Sequence, residues 1–464
     1  MRSVLPVTGR YPLQQTSGPS CPAHPAPQAR HSKLRSSSQR LPASSGPCWL
    51  QKPGSDRKCS REQLHATRQS GLLDDEPTAD LRDGKVQSGP DLSITLQGGL
   101  VLPNPFVIGS GPPGTNYAVM KKAFEEGWGA VIAKTVSVDS SKVVNVTPRY
   151  AKLKAPSNSR EVIGWENIEL ISDRPLETML DDFKRLKQEF PNRILIASIM
   201  EEYDKPAWEE LISRCEDVGV DAFEVNFSCP HGMPERKMGM AMGQDCDILE
   251  EVCGWINNKA TVPVWAKMTP NITDISFPAR SALQSGCEGV SAINTITSVM
   301  GVNLDTLRPE PCVEGYTTPG GYSSKAVKPI ALAKVMSIAR IIKEEYAGGR
   351  DLSGIGGVET GRDAAEFILL GANTVQVCTG VMLHGYPMVK QLCGGLQAFM
   401  KQHDFSSIED FRGSSLPFFT THHELVRMQR EAINAKKRAR QGLASDADWS
   451  GDGFVKETES MVAN

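Results

Sequence analysis

Residues 222–234, AFEVNFSCPHGMP, hold the densest chemistry of the chain. An apolar run from Ala222 to Phe227 reads as a buried strand. It ends among Asn226, Ser228, Cys229 and Pro230, and His231, Gly232 and Met233 follow. A thiol, with an ordinary pKa of about 8.5, can act as a general acid near neutral pH when a strand end holds it beside a substrate. A cysteine in a turn is otherwise a small, inert hydrophobe. Its meaning rests on what the other strand ends carry.

Lys134 and Lys267 close two further apolar runs. An ammonium at the end of a buried strand is costly without a partner. Two at equivalent positions point to an anionic ligand above the strands. Asn226, Asn294 and Thr295 stand at strand ends as well. An amide offers a donor and an acceptor from one group, which suits a planar ligand with alternating N–H and C=O edges. Gly356-Gly357 and Cys378-Thr379-Gly380 follow the last two apolar runs. Glycines let backbone N–H groups approach a phosphate closely. This pattern fits a mononucleotide; no G-x-G-x-x-G is read after a strand, and no Rossmann dinucleotide module is expected. A phosphate clamp, two lysines, several amides and one thiol together suit flavin mononucleotide, with Cys229 exchanging a proton with substrate.

Such groups must be positioned. Short runs rich in Val, Ile and Ala fall at 106–109, 130–135, 194–199, 222–228, 262–268, 289–295, 353–358 and 374–379. None alternates cleanly, as expected of strands covered on both faces. Helical patterns lie between and after them, at 116–126, 176–188, 207–218, 247–258, 274–286, 326–346, 360–370 and 387–402. Asp245 and Thr360 suit N-caps; Gly127, Gly219, Gly286 and Gly371 suit helix ends. Eight strand–helix pairs predict an α/β (β/α)₈ TIM barrel, with a doubly wound open sheet as the competitor. LSITLQGGLVLPNP, before the first strand, predicts an N-terminal hairpin on the barrel floor. Residues 136–173, 229–245 and 296–325 form long βα loops at the strand ends where barrel enzymes keep their sites.

Composition sets the bounds. The chain has 464 residues, 39% hydrophobic and 23% charged, with net charge -3. That gives no reason to expect nucleic acid or an anionic membrane as partner. Apolar runs are too short to span a bilayer. Eleven cysteines are scattered without a C-x-x-C, which argues against Fe–S clusters and structural zinc, and no metal site is expected. The first 55 residues lack Asp and Glu and are rich in Ser, Pro, Lys and Arg. This predicts a transit peptide over 1–60, plastid rather than mitochondrial. A linker is expected over 61–90, the FMN-binding barrel over 91–403, and a helical, frayed extension over 404–464. Within that extension 427–440 reads as an exposed, charged amphipathic helix.

The motifs NPFVIGSG (104–111), AVIAKT (130–135), NIELIS (167–172), EVNFSCPHGM (224–233), AKMTPNITDI (266–275), AINT (292–295), GIGGV (354–358) and VQVCTG (375–380) occur in this order. Together they resemble the FMN barrel of the dihydropyrimidine dehydrogenases, within the dihydroorotate-dehydrogenase-like superfamily; the short chain and leader resemble the plastid branch of plants and algae. The resemblance implies reduction of the 5,6 double bond of uracil or thymine, the first step of pyrimidine catabolism. It implies Cys229 as the proton donor to C5, and Asn167, Glu169, Asn226, Ser228, Asn294 and Thr295 as pyrimidine contacts. It implies Gly109, Ser110, Lys134, Thr135, Lys267, Gly321, Gly356, Gly357, Cys378 and Thr379 as flavin contacts, and NADPH as electron donor. A homodimer and a separate reductase stand as expected partners. A class 1 dihydroorotate dehydrogenase, or a flavoprotein subunit dependent on that reductase, are the alternatives.

Overall fold

The computed structural model describes residues 76–230 and 237–441. The chain divides into units 1–64 and 65–464, and the described residues belong to the second. The expected transit peptide, the first half of the linker (61–75), residues 231–236 and the tail beyond 441 lie outside them.

Eight parallel strands close into a barrel: β1 (Phe106–Ile108), β2 (Ala130–Ile132), β3 (Ile194–Ile199), β4 (Ala222–Asn226), β5 (Val264–Lys267), β6 (Gly289–Ala292), β7 (Asp351–Ile355) and β8 (Thr374–Val377). Each pairs with its sequence neighbours, and β8 pairs with β1. Helices α1 (Tyr117–Glu126), α2 (Leu176–Glu189), α3 (Lys205–Asp217), α4 (Cys246–Lys259), α5 (Ser276–Gln284), α6 (Lys328–Tyr346), α7 (Gly361–Leu369) and α8 (Met388–Gln402) cover it. The fold is therefore the (β/α)₈ barrel that the strand count implies, and the open sheet is excluded by ring closure. Asp245 accepts from the Ile248 amide at 3.2 Å. Thr360 and Asp363 form a reciprocal capping box on α7. Gly127, after α1, adopts φ 104° in the left-handed region, where a side chain would be strained.

The strands are shorter than their apolar runs. β2 ends at Ile132 and β6 at Ala292, so Lys134, Thr135, Asn294 and Thr295 sit in loop backbone just past the ladders. The two lysines are thus not equivalent. Lys267 is the last residue of β5 and its ammonium lies in the barrel interior. Lys134 lies two residues beyond β2.

The floor is closed by the expected hairpin, Ile94–Thr95 with Val101–Leu102. Residues 76–90, expected as linker, also pack on the barrel: Asn104 Nδ2 donates to the Gly84 carbonyl at 2.7 Å, and Val86 is buried. The Gln97 amide in the floor turn donates to Asp351 Oδ2 at 2.9 Å. Burial pushes the Asp351 carboxyl up to about 7, opposed chiefly by that Gln97 bond. The folded chain therefore holds this proton more tightly than the unfolded one. The stability it contributes is present below about pH 4 and is lost as pH rises through about 7. Asp351→Asn is expected to raise the thermal midpoint at pH 8 by roughly a few degrees, with the gain shrinking toward pH 4. Midpoints that differ equally at both pH values would refute this.

Two of the long loops are not irregular. Tyr150–Ala155 and Asn158–Asn167 form a hairpin, and Ile296–Ser298 and Gly320–Ser323 join it in a four-stranded antiparallel sheet. This sheet is a lid at the C-terminal mouth. Its strands from 296–325 are three or four residues long and too polar to signal themselves. Beyond the barrel, His422–Gln441 is a helix whose described side chains through Lys437 are mostly exposed, as its charge pattern implied.

Candidate active site

One cleft of about 1160 Å³, solvent at its mouth included, opens between the C-terminal strand ends and the lid. Strand ends supply Lys134, Thr135, Asn226, Cys229, Lys267, Asn294, Thr295, Gly356, Gly357, Cys378 and Thr379, and Ser110 comes from the loop after β1. The lid supplies Asn167, Glu169, Tyr150, Trp165, Tyr322, Ser323 and Ser324. Three expected contacts do not line the cleft. Gly109 donates its amide to the Val377 carbonyl at 3.0 Å, and Gly321 packs where a Cβ would lie 2.2 Å from Thr295 Oγ1. Ser228 is fully buried and ties two amides together instead of meeting the cavity.

Those amides are pre-oriented. Ser228 Oγ donates to Asn226 Oδ1 at 3.0 Å, the Ser228 amide donates there at 3.2 Å, and Asn294 Nδ2 donates to Ser228 Oγ at 2.8 Å. Asn226 Nδ2 donates to Thr135 Oγ1 at 2.9 Å. The carbonyl of Asn226 is thus engaged by the protein, its amide nitrogen keeps a second hydrogen, and Asn294 Nδ2 also reaches Asn226 Oδ1 in a long contact of 3.5 Å that a ligand carbonyl can displace. The Asn226–Asn294 side of the cleft is a donor surface, matched to ligand carbonyls.

Cys229 lines the cleft with 7% of its surface exposed, backed by Ile171, Met200 and Met238. Its carbonyl accepts from the Met240 amide at 3.1 Å. Gly239, at φ 55°, lets that segment lie against it: a Cβ there would fall 2.9 Å from the Cys229 oxygen. The His-Gly-Met of the motif lies outside the described residues. The second cleft thiol, Cys378, is pushed up to about 11 by burial, with Lys267 and Lys134 pulling the other way.

Each lysine has a glutamate. Lys134 Nζ stands 2.6 Å from Glu169 Oε1, which Arg149 Nε approaches at 3.2 Å, and the Tyr150 hydroxyl donates to Glu169 Oε2 at 2.7 Å. Lys267 Nζ donates to Glu224 Oε1 at 2.9 Å and to Gln376 Oε1 at 3.3 Å. Gln376 Nε2 returns to Glu224 Oε2 at 2.7 Å and reaches Ser353 and Ser291. Glu224 and Gln376 were not singled out from sequence. The usable signal was strand periodicity: Glu224 shares a face with Asn226, and Gln376 with Thr374, so the interior face of these strands carries polar groups.

At the far end Gly356 and Gly357 have φ 144° and 74°, and non-glycine Ser324 has φ 80°. Ser323 Oγ and Thr379 Oγ1 are 2.9 Å apart. Ser324 Oγ is buried without a partner, and so is Glu359 Oε1, although Glu359 Oε2 lies 3.3 Å from Lys325 Nζ. Sequence reading missed this serine and this glutamate.

A closed barrel with such a mouth defines a class, and comparison gives its family. The dihydroorotate dehydrogenase family model matches residues 92–400, and the chain belongs to this oxidoreductase family. It is similar to dihydropyrimidine dehydrogenase (NADP(+)), chloroplastic, of Arabidopsis thaliana, with 72% identity over 381 residues, 82% of this chain and 89% of the relative. It is 40% identical over 325 residues to the NAD-dependent dihydropyrimidine dehydrogenase subunit PreA of Escherichia coli K12, 70% of this chain and 76% of that one. The crystal structure of DHODH in complex with ferulenol from Eimeria tenella shares the fold, with TM-score 0.59 at 20% identity over 73% of this chain and 90% of that one.

The flavin the family implies is matched by groups seen here. An unpartnered buried hydroxyl, Ser324, and two glycines with no room for side chains stand at one end. Gly356 would place a Cβ 2.6 Å from that of Ala331. Gly109, Gly111 and Gly114 do carry the G-x-G-x-x-G spacing directly after β1. They do not open a dinucleotide-binding helix. Pro112–Gly114 is a single 3₁₀ turn, and the glycines serve packing: Gly111 and Gly114 would meet Cys378 Sγ at 2.6 Å and the Ile132 carbonyl at 2.5 Å.

Proposed function

We propose that this chain reduces the 5,6 double bond of uracil and thymine, with FMN as its resident cofactor and NADPH as the ultimate donor, in the plastid. The observation that carries it is Cys229 at the wall of a cleft that Glu169 also lines, next in sequence to the Ser228 that locks two amide donors. A uracil ring presents two carbonyls and two N–H groups, and this wall offers amide donors and one carboxylate. Ser324, Gly356, Gly357 and Thr379 would hold the FMN phosphate, with Ser110, Thr135, Lys134 and Lys267 toward the ring. FMN, when bound, supplies hydride for C6. Asn226 and Asn294 donate to ring carbonyls, Asn167 and Thr295 complete the ring's edge, and Glu169 accepts a ring N–H. Cys229 delivers the proton to C5 from its sulfur, and burial under the lid keeps competing water away.

The dihydroorotate reading is disfavoured by charge. A carboxylated substrate favours extra cationic or amide partners, and the two cleft lysines already share their charge with glutamates at 2.6 and 2.9 Å and face the flavin side, which leaves no cation dedicated to a substrate carboxylate. One observation favours a second reading, in which a separate reductase feeds this subunit: the Escherichia coli relative is itself named a subunit. Anaerobic titration of the purified protein decides. Flavin bleached by NADPH and recoloured by uracil is expected, with steady consumption of both. Bleaching by dihydroorotate overturns the proposal. Recolouring by uracil only after chemical reduction, with NADPH inert, favours the two-protein reading.

A further inference from the structure

We propose that Tyr150 is a positioning residue that makes the site specific for pyrimidines bearing a free ring N–H; this rests on the reading of the chain as a uracil reductase. Glu169 is a carboxylate with four acceptor directions. Lys134 pairs with Oε1 at 2.6 Å, and Arg149 Nε approaches that oxygen at 3.2 Å as an ion pair without a hydrogen bond. Among the described residues Oε2 takes only the Tyr150 hydroxyl, at 2.7 Å. One direction on Oε2 is left for a ligand in the cleft that Glu169 and Tyr150 both line. The phenol decides where that direction points.

Tyr150 is itself held by the lid. Its backbone pairs with Asn167, which pairs on its other side with Gly321, so one register carries both the tyrosine and an expected pyrimidine contact. Its ring leans on Trp165 with centroids 5.6 Å apart, and the Arg149 guanidinium lies 5.6 Å from its centroid. Burial, chiefly, pushes the phenol up to about 12, so it remains a donor throughout the neutral range. A ring nitrogen carrying hydrogen meets a matched acceptor. One carrying a methyl or a sugar faces a desolvated carboxylate with no donor, which a site built for hydrogen bonding rejects strongly.

The test compares uracil, 1-methyluracil and 3-methyluracil on wild type and Tyr150→Phe, which keeps the ring against Trp165 and removes only the hydroxyl. Wild type is expected to reject one methylated isomer. In Tyr150→Phe, KM for uracil should rise about tenfold with kcat held, as for loss of a hydrogen bond to a charged group. The rejected isomer should be unaffected, so discrimination narrows. Equal losses on all three substrates, or none, overturn the inference. Failure of wild type to reduce uracil overturns the underlying function instead. Should Tyr150→Phe lose its flavin spectrum, a ring-fluorinated tyrosine at 150 keeps the shape with a stronger donor. It should lower KM for uracil, and an unchanged KM overturns the inference.

Discussion

Cys229→Ala is expected to lower uracil turnover by about 10²- to 10⁴-fold, the span attributable to a positioned general acid, with flavin still bound. The substitution removes only the sulfur. Cys229 packs on Ile171, Met200 and Met238 after β4, whereas the glycine turn at 356–357 follows β7, so FMN affinity has no reason to change. NADPH should bleach the flavin of the variant at the wild-type rate, while recolouring by uracil slows. That split separates loss of a proton donor from loss of fold, since a misassembled cleft would slow both half-reactions. Wild-type recolouring in Cys229→Ala would mean the proton comes from another group. Cys378, which burial keeps protonated in the same cleft, would be the first to replace.

The barrel was legible because its strands are buried on both faces. ILIASI at 194–199 and the apolar part of AFEVNFS can lie nowhere else, and Gly127 and Thr360 mark real helix ends. Cys229, the Asn226–Asn294 pair and the Gly356-Gly357 turn were legible because they interrupt those runs with chemistry. The lid was not. Gly321 pairs with Asn167 across 154 positions, and neither GGYS nor ITS carries a pattern that forecasts it. The counter-ions were hidden for a different reason. Glu224 reads as an interruption of an apolar strand, and only closure of the ring puts it beside a lysine 43 positions away. The lysines could therefore be recognised as needing anions, while the sequence left open that each had a glutamate as well. Ser228 shows the same limit: adjacency to Cys229 implied a substrate contact, whereas three-dimensional pairing makes it the brace between two amides.

Glu224→Ala should cost the barrel about 3–5 kcal/mol, the usual penalty for leaving a buried charge without its partner. Glu224 and Lys267 are 1% and 3% exposed, so water cannot take over the lost contact. The loss spreads, because Gln376 Nε2 gives up its 2.7 Å acceptor and Lys267 keeps only the Gln376 carbonyl oxygen. Against a typical domain stability of about 5–15 kcal/mol this is a large fraction. Urea unfolding of the flavin-free protein would measure it. Glu224→Leu combined with Lys267→Met removes both charges and keeps the interior filled, and it should cost much less than the sum of the single changes. Additive costs would show that the two side chains stabilise the barrel independently. The same double variant should bind FMN more weakly than wild type even where its stability recovers. The ammonium at the cleft wall has a ligand to meet as well as a glutamate, and removing the pair restores the packing without restoring that cation.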